Sequence, residues 1–210
     1  MNIKNVFDKI VVLNLERRTD RLKLVRESMR TINLHEDEYS VHHACDALAL
    51  AASETKDLKI KKGAHACNKS YLKIFTEFMH TDLNTLVVVE DDCAFLKDFD
   101  YTIFETIPEN WDLLYFGANN NIQPKNFNKN WNKIIKSYSS HMIAYSRKAI
   151  SFILNYLQKE EFIKEFEYDV ILHRFVQCQD CYISKTLYAY QNNSYSDIEM
   201  KNVDYSWMLK

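Results

Sequence analysis

The chain has 210 residues, a formal net charge of −2, 47% hydrophobic and 27% charged residues, a globular composition with no basic surface for nucleic acid or anionic lipid. Two glycines and two prolines exclude collagen-like repeats, Gly-rich linkers and any GxGxxG or P-loop phosphate cradle. No apolar run reaches the roughly 18 residues of a spanning helix. The N-terminus has no secretory h-region and the five cysteines are an odd number, so reduced thiols and a cytoplasmic location are expected.

The first expected element is a strand over KIVVLNL, residues 9–15, with Val11 and Val12 at its centre. Thr19 is placed to cap a helix whose apolar positions Leu22, Val25, Met29 and Ile32 fall on one face. YSVHHA (39–44) reads as a short strand, and Cys67, Tyr71, Ile74, Phe75 and Phe78 mark the next helix. A β-branched run, LVVV, then leads into Glu90-Asp91-Asp92, and WDLLYFG (111–117) is a further strand. The Asn-rich segment 119–133 reads as a loop, and 134–146 as strand, turn, strand. Residues 147–158 and 168–176 pattern as helices, 182–190 as a late strand, and 192–210 as a polar tail wrapping the surface. The CxxC at Cys178 and Cys181 has no second pair and reads as two structural thiols. Strands alternating with helices predict one α/β domain over 1–210, with a mixed, largely parallel sheet flanked by helices.

Three consecutive carboxylates at a strand end require compensation. Two of them about 4 Å apart repel by roughly 4 kcal/mol at an effective dielectric near 20. Strand alternation puts Glu90 and Asp92 on one face, roughly 6.6 Å apart along the strand, with Asp91 pointing away. Oxygen ligands without thiolate or imidazole suit manganese or magnesium, bound through a few carboxylates and phosphate oxygens. A solvated acidic turn explains the same stretch equally well. Ligands of open α/β sheets bind beyond the carboxyl ends of strands. At that edge Asn14, Arg17, Arg18 and Arg21 follow the first strand, where cations oppose the dipole of the coming helix and an anion such as a diphosphate would relieve them.

The order of segments resembles glycosyltransferase family 25, which includes lipopolysaccharide glycosyltransferases and procollagen galactosyltransferases. The family pattern N-L-(D/E)-R-R-x-x-R is matched by Asn14-Leu15-Glu16-Arg17-Arg18-Thr19-Asp20-Arg21. Ala44-Cys45-Asp46 matches an Ala-x-Asp element, and GAHACNKSY keeps Gly63, Cys67 and Ser70 of a helix start. Glu90-Asp91-Asp92 stands at the acidic E-D-D, Trp111 to Gly117 at W-D-L-L-Y-x-G, and Ser140-His141 at a T-H pair. Ser146, Arg147 and Ala149 match S-R-x-x-A, Asp169 a helix Asp, and Gln191, Ser194, Ser196, Asp197 and Ile198 the last motif. Three positions depart: Ala66 replaces a glycine, Tyr71 a histidine and Ile143 an aromatic, and Tyr71 would alter sugar preference if it meets the donor.

The resemblance implies a single-domain glycosyltransferase-A-like fold and an inverting, metal-dependent transfer of galactose or glucose from a UDP-sugar to a glycan or protein hydroxyl. Implied donor contacts are Asn14, Leu15, Arg17, Arg21, Asp46, Ser70, Asp91, His141 and Gln191, with Glu90 and Asp92 on Mn2+ or Mg2+. Asp46 would accept from ribose or uracil, or merely cap a turn, and His141 would face sugar or metal or be a satisfied histidine. Asp169, where a helix dipole favours the ionised form, is the expected general base, a plain acid at a helix N-terminus being the alternative. The alternative is a weakly active or inactive nucleotide-sugar-binding scaffold of the same fold. A metal-dependent phosphoesterase is disfavoured, since no second Asp/His cluster is present.

Overall fold

The computed structural model describes residues 3–96, 99–176 and 179–209. Its elements in chain order are β1 (Lys9–Asn14), α1 (Thr19–Thr31), β2 (Ser40–His43), α2 (Ala52–Thr55), α3 (Lys62–Met79), β3 (Thr85–Glu90), β4 (Cys93–Phe95), β5 (Leu113–Tyr115) and β6 (Asn119–Ile122). Then follow β7 (Lys125–Asn126), β8 (Trp131–Lys133), β9 (Lys136–Tyr138), β10 (Met142–Ser146), α4 (Arg147–Leu157), α5 (Glu160–Glu165), α6 (Tyr168–Val176), β11 (Cys181–Ser184), β12 (Ala189–Gln191), β13 (Ser194–Ser196) and β14 (Lys201–Val203).

An eight-stranded mixed sheet runs in the order β2-β1-β3-β10-β5-β11-β8-β7. β1 is parallel to both β2 and β3, β11 is parallel to β5, and β10 lies antiparallel between β3 and β5. Both faces are covered, which is why the LVVV run has no polar alternation. Leu86 and Val88 join a core with Tyr71, Phe75 and Phe78 of α3 and Ile150 and Ile153 of α4. Val87 and Val89 join the opposite core with Val25 and Met29 of α1 and with Phe104, Phe116 and Trp131. All four residues of the run are fully buried.

Several sequence expectations are corrected. Thr19 is the first residue of α1, and Arg18 takes the cap position without a side-chain cap bond. Strands β9 and β10 of the 134–146 segment do not pair with one another: β9 takes β6, and β10 enters the main sheet. The late strand divides into β11, in the main sheet, and β12, which pairs antiparallel with β4. The Asn-rich segment contributes β8, whose Trp131 is fully buried under Ile103 and Phe116. Cys178 of the CxxC lies outside the described residues, and Cys181 is buried in β11.

The Ser146-Arg147-Ala149 motif is a fastening of helix ends. The Ser146 hydroxyl accepts from the Ala149 amide as N-cap of α4. The Arg147 guanidinium donates to the carbonyls of Met79, Thr81 and Leu83, satisfying the end of α3. Among the described residues no helix is long and apolar enough to cross a membrane.

Gly117 stands where the chain leaves β5 and crosses β12. A Cβ there would lie 1.9 Å from the Ala189 carbonyl oxygen and 2.7 Å from His141 Nε2. The Ala189 backbone on one side and the fully buried His141 ring on the other leave no soft neighbour to yield. Gly117→Ala is therefore expected to cost about 3 kcal/mol, the upper part of the overpacking range. Thermal denaturation should show it as a fall of roughly 6–12 °C for a chain of this size. An unchanged melting temperature would mean that the β5–β12 crossing is looser than these distances.

Candidate functional site

A cavity of about 370 Å³ opens where β1 and β3 end and α3 and α6 begin. Its walls include Leu15, Arg17, Arg21, Asp46 and Ser70, and also Glu90, Asp91, Asp92, Asp169 and Gln191. Ten of the twelve residues singled out from sequence thus meet around one space. Asn14 and His141 are not among its lining residues. Asn14 is buried behind the wall, donating to Asp91 Oδ2 at 2.7 Å and to the Arg18 carbonyl at 3.1 Å. His141 is fully buried with Nε2 against the Ala189 carbonyl at 3.1 Å, and its Nδ1 has no hydrogen-bond partner.

The strand alternation expected for the acidic triplet stops at Glu90, the last residue of β3. Asp91 and Asp92 form the turn into β4, so both aspartates reach one guanidinium instead of opposite faces. Arg21 Nη1 donates to Asp91 Oδ1 at 2.7 Å, and Nη2 to Asp92 Oδ2 at 3.3 Å and to Ser194 Oγ at 2.9 Å. Burial pushes Asp91 up to about 6, against the pull of Arg21 and of the Asn14 amide. An ionised carboxylate at that depth persists only because two donors face it.

Arg17 and Arg18 precede α1, where cations oppose the helix dipole. Carboxylates from the protein supply the relief. Arg17 Nε donates to Asp46 Oδ2 at 2.6 Å, and Arg17 Nη2 pairs with Asp197 Oδ1 at 2.7 Å. Arg18 holds Asp197 Oδ2 at 2.5 Å and Asp20 at 2.8 Å. The Arg18 hydrogen bond draws Asp20 down to about 2. Asp46 also accepts from the Leu48 amide, as cap of a short 3-10 turn. Ser70 Oγ accepts from the Cys45 amide and donates to the Ala66 carbonyl, so its hydroxyl proton is already committed.

Glu90 Oε1 accepts from Tyr71 at 2.8 Å and from Ser140 at 2.7 Å. Burial, followed by the Asp92 charge, raises Glu90 to about 7. Tyr71 is fully buried, stacked on Tyr168 with centroids 3.6 Å apart, and does not line the cavity. The expectation that this position could alter sugar preference by contact is therefore corrected: Tyr71 supports Glu90 from beneath. Asp92 accepts from Gln191 Nε2 at 3.3 Å through Oδ2, whereas its Oδ1 is buried without a partner. That orphaned oxygen, beside Glu90, fits a hard cation completed by phosphate oxygens and water. Among the described residues no group of three His, Cys, Asp or Glu is arranged to hold a metal alone.

Asp169 sits in the first turn of α6. Burial raises its pKa, and hydrogen bonds from the backbone amides of Asp169 and Ser139 pull the other way. Ser139 has φ 77°, a left-handed conformation that lets its amide reach this carboxylate. What sequence reading missed is the roof. Asp197, Glu199, Tyr205 and Trp207 of the tail line the cavity, so the tail closes the site as well as covering surface. Gly63 allows this: a Cβ there would lie 2.8 Å from Ile198 Cα. The last motif, ending in Asp197-Ile198, carried the only sequence signal of that contact.

No family model matches the chain. Curated relatives do. The chain is 29% identical to human procollagen galactosyltransferase 2 and 32% identical to zebrafish (Danio rerio) procollagen galactosyltransferase 1. Each match extends over 133 residues, covering 53% of this chain and 21% of the relative. The chain thus spans about a fifth of the length of the curated relatives it matches, and the resemblance read from the motifs is found again in them.

Among solved structures, one is a glycosyltransferase involved in glycosylation of the major capsid of PBCV-1. It is 9% identical, with TM-score 0.38 over 96% of this chain and 98% of that one. Another is an apo UDP-glucose pyrophosphorylase, 8% identical, with TM-score 0.43 over 87% and 76%. A third, a Drosophila β-1,4-galactosyltransferase 7 mutant with manganese, UDP-Gal and xylobiose, is 10% identical with TM-score 0.34 over 69% and 51%.

Proposed function

We propose that residues 1–210 form a glycosyltransferase domain that moves a hexose, galactose or glucose, from a UDP-sugar to a hydroxyl of a glycan or protein. The observation carrying this reading is one cavity that holds both a carboxylate edge, Glu90 and Asp92, with an unpartnered Asp92 oxygen, and a separate half-buried acid, Asp169. The relatives' names, procollagen galactosyltransferases, support the reaction class and the galactosyl alternative. A cytoplasmic setting is part of the reading, and the cysteine usage supports it.

Asp92, with Glu90 beside it, would hold Mn2+ or Mg2+, which when bound supplies positive charge to a diphosphate leaving group. Arg17 and Arg21 line the same end, where a diphosphate would share their guanidinium donors with Asp46 and Asp197, and with Asp91 and Asp92. Asp169 takes the proton of the acceptor hydroxyl as its oxygen forms a bond to the anomeric carbon. The bond from that carbon to the phosphate oxygen breaks, and the electron pair leaves with UDP. A single displacement of this kind inverts the anomeric centre. Gln191 orients Asp92 through its 3.3 Å hydrogen bond, and Tyr71 with Ser140 fixes Glu90. The wall position of Asn14 assigns it to holding Asp91 and the turn rather than to touching the donor.

Thermal denaturation with UDP and manganese tests the ion. A ligand present at 100 times its dissociation constant stabilises the native state by about 2.7 kcal/mol. The wild type should gain roughly 5–10 °C. Asp92→Asn should lose that gain while melting normally without ligand. Equal gains in both proteins would place the ion elsewhere or show that none is used. A wild type that binds UDP-sugars tightly, yet turns over none of a galactose and glucose donor panel on glycan acceptors, would favour the scaffold reading.

A further inference from the structure

Each arginine at the start of α1 already holds two carboxylates. Arg17 bonds Asp46 and Asp197, Arg18 bonds Asp20 and Asp197, and Arg21 bonds Asp91 and Asp92. A diphosphate arriving on these guanidiniums would share them with carboxylates, and like charges held on one guanidinium repel. One side has to give way. Asp20, Asp46, Asp91 and Asp92 belong to α1 and to the turns after β2 and β3, whereas Asp197 is delivered by the tail. Its two oxygens divide between two arginines, Oδ1 on Arg17 Nη2 at 2.7 Å and Oδ2 on Arg18 Nη1 at 2.5 Å. Acceptor oxygens of one anion spread over two guanidiniums are also what a phosphate group offers.

The tail carrying Asp197 has little to hold it in place. No residue from Tyr190 to Trp207 is buried. Its β13–β14 hairpin is a two-stranded sheet of its own, outside the eight-stranded one, and a lone ribbon of that kind is marginal in water. Polar bonds tie it to the body. Arg18 Nη1 donates to the Tyr195 carbonyl at 3.3 Å, Arg21 Nη2 to Ser194 Oγ at 2.9 Å, and the Asn192 amide to the Asp92 carbonyl at 2.8 Å. Lys61 pairs with Glu199 at 2.6 Å. A segment with few buried apolar contacts opens at a far lower free energy than the core does.

We infer that Asp197 is a self-inhibitory latch: in the free protein it occupies Arg17 and Arg18, and an incoming diphosphate displaces it, lifting residues 194–199 from the site. The inference rests on the reading of this end of the cavity as a diphosphate site, and not on sugar transfer. It fixes a sign. Loss of a residue that aligned the arginines would weaken the ligand, whereas loss of a competitor strengthens it. Calorimetric titration of the full chain with inorganic pyrophosphate and with UDP, each with magnesium, reads that sign. Asp197→Asn should bind both about tenfold more tightly, because apparent affinity is reduced by the fraction of molecules whose site is closed. Asp197→Glu, which keeps the charge, should stay within about twofold of the wild type. Without ligand both variants should melt close to the wild type, since no core residue changes.

Hydrogen exchange reads the movement itself. Pyrophosphate should speed exchange of the amides of residues 194–203 severalfold in the wild type and leave β3 and α4 unchanged. Slower exchange in that stretch would mean that the tail closes on the ligand, and would overturn the latch. Weaker or unchanged affinity in Asp197→Asn would overturn it as well, as would equal tightening in Asp197→Glu, where the charge is kept. A wild type that binds UDP, with an Asn variant that binds it no better, sinks the latch alone. No binding of pyrophosphate or UDP by either protein sinks the latch together with the UDP-sugar reading. Tighter binding by the Asn variant, with no sugar transfer by variant or wild type, would sustain the latch and sink the transferase.

Discussion

Asp169→Asn is expected to reduce sugar transfer by a factor on the order of 100 to 10,000, the usual worth of a positioned general base. Asparagine keeps the size of the side chain and an oxygen that can accept from the Asp169 and Ser139 amides, so the start of α6 should not move. What is lost is the ability to take a proton. UDP binding depends on the other end of the cavity and should change little. Slow hydrolysis of the donor by water should survive, because the groups that face the leaving diphosphate are untouched.

The wild-type pH profile supplies a second reading. Burial holds the Asp169 pKa above its ordinary value of 3.8, and the ionised form is the active one. Transfer should therefore fall as pH drops through that raised value and be fully present above it. The Asn variant should lose this acid limb along with the rate. A variant that transfers at the wild-type rate would dismiss Asp169, and Glu167, in the same cavity wall, would be the next acid to test.

How much of this was legible in the sequence depends on how local each signal is. The LVVV run and the apolar stripes of α1, α3 and α4 are local patterns, and they appear as read because both sheet faces are covered. The position of the acids at the end of β3 followed from the strand itself. Where Asp91 and Asp92 point did not, because the chain turns after Glu90 and both follow Arg21, 70 and 71 residues away. The occupancy of Arg17 by Asp46 and Asp197 was equally hidden: each pair joins distant segments, and a carboxylate of the protein and a phosphate look alike to an arginine read in sequence. The division of 182–190 into β11 and β12 is set by partners, Leu113 to Tyr115 on one side and Cys93 to Phe95 on the other. Tail residues such as Glu199 and Trp207 carry no periodicity at all; Ile198 against Gly63, Asp197 on Arg17 and Arg18, and Glu199 on Lys61 bring this stretch over the cavity.

Removing the Arg21 guanidinium should be the most damaging change to stability within the site. Arg21 is buried and bonds three acceptors: Asp91, Asp92 and Ser194. Breaking a buried pair from one side leaves the other charge uncompensated, at about 3–5 kcal/mol. Arg21→Met, which preserves most of the apolar stem, should accordingly lower the melting temperature at pH 8 by roughly 10 °C. The sign of the pH dependence follows from Asp91. Its folded value, already about 6, lies above the ordinary 3.8, and loss of Arg21 raises it further. A carboxyl raised on folding is protonated more readily in the native than in the unfolded chain, so native stability declines as pH climbs from 3.8 through the folded value. The gap between variant and wild type should thus be small near pH 4 and widen toward pH 8. Adding Asp91→Asn to Arg21→Met should recover part of the loss at pH 8, since one buried charge is gone and the Asn14 amide still finds an oxygen. Arg21→Lys should fall between, keeping the charge without the fork that reaches both aspartates. A gap of equal size at every pH, with no recovery in the double variant, would show that Arg21 acts through packing of its stem and not through the two carboxylates.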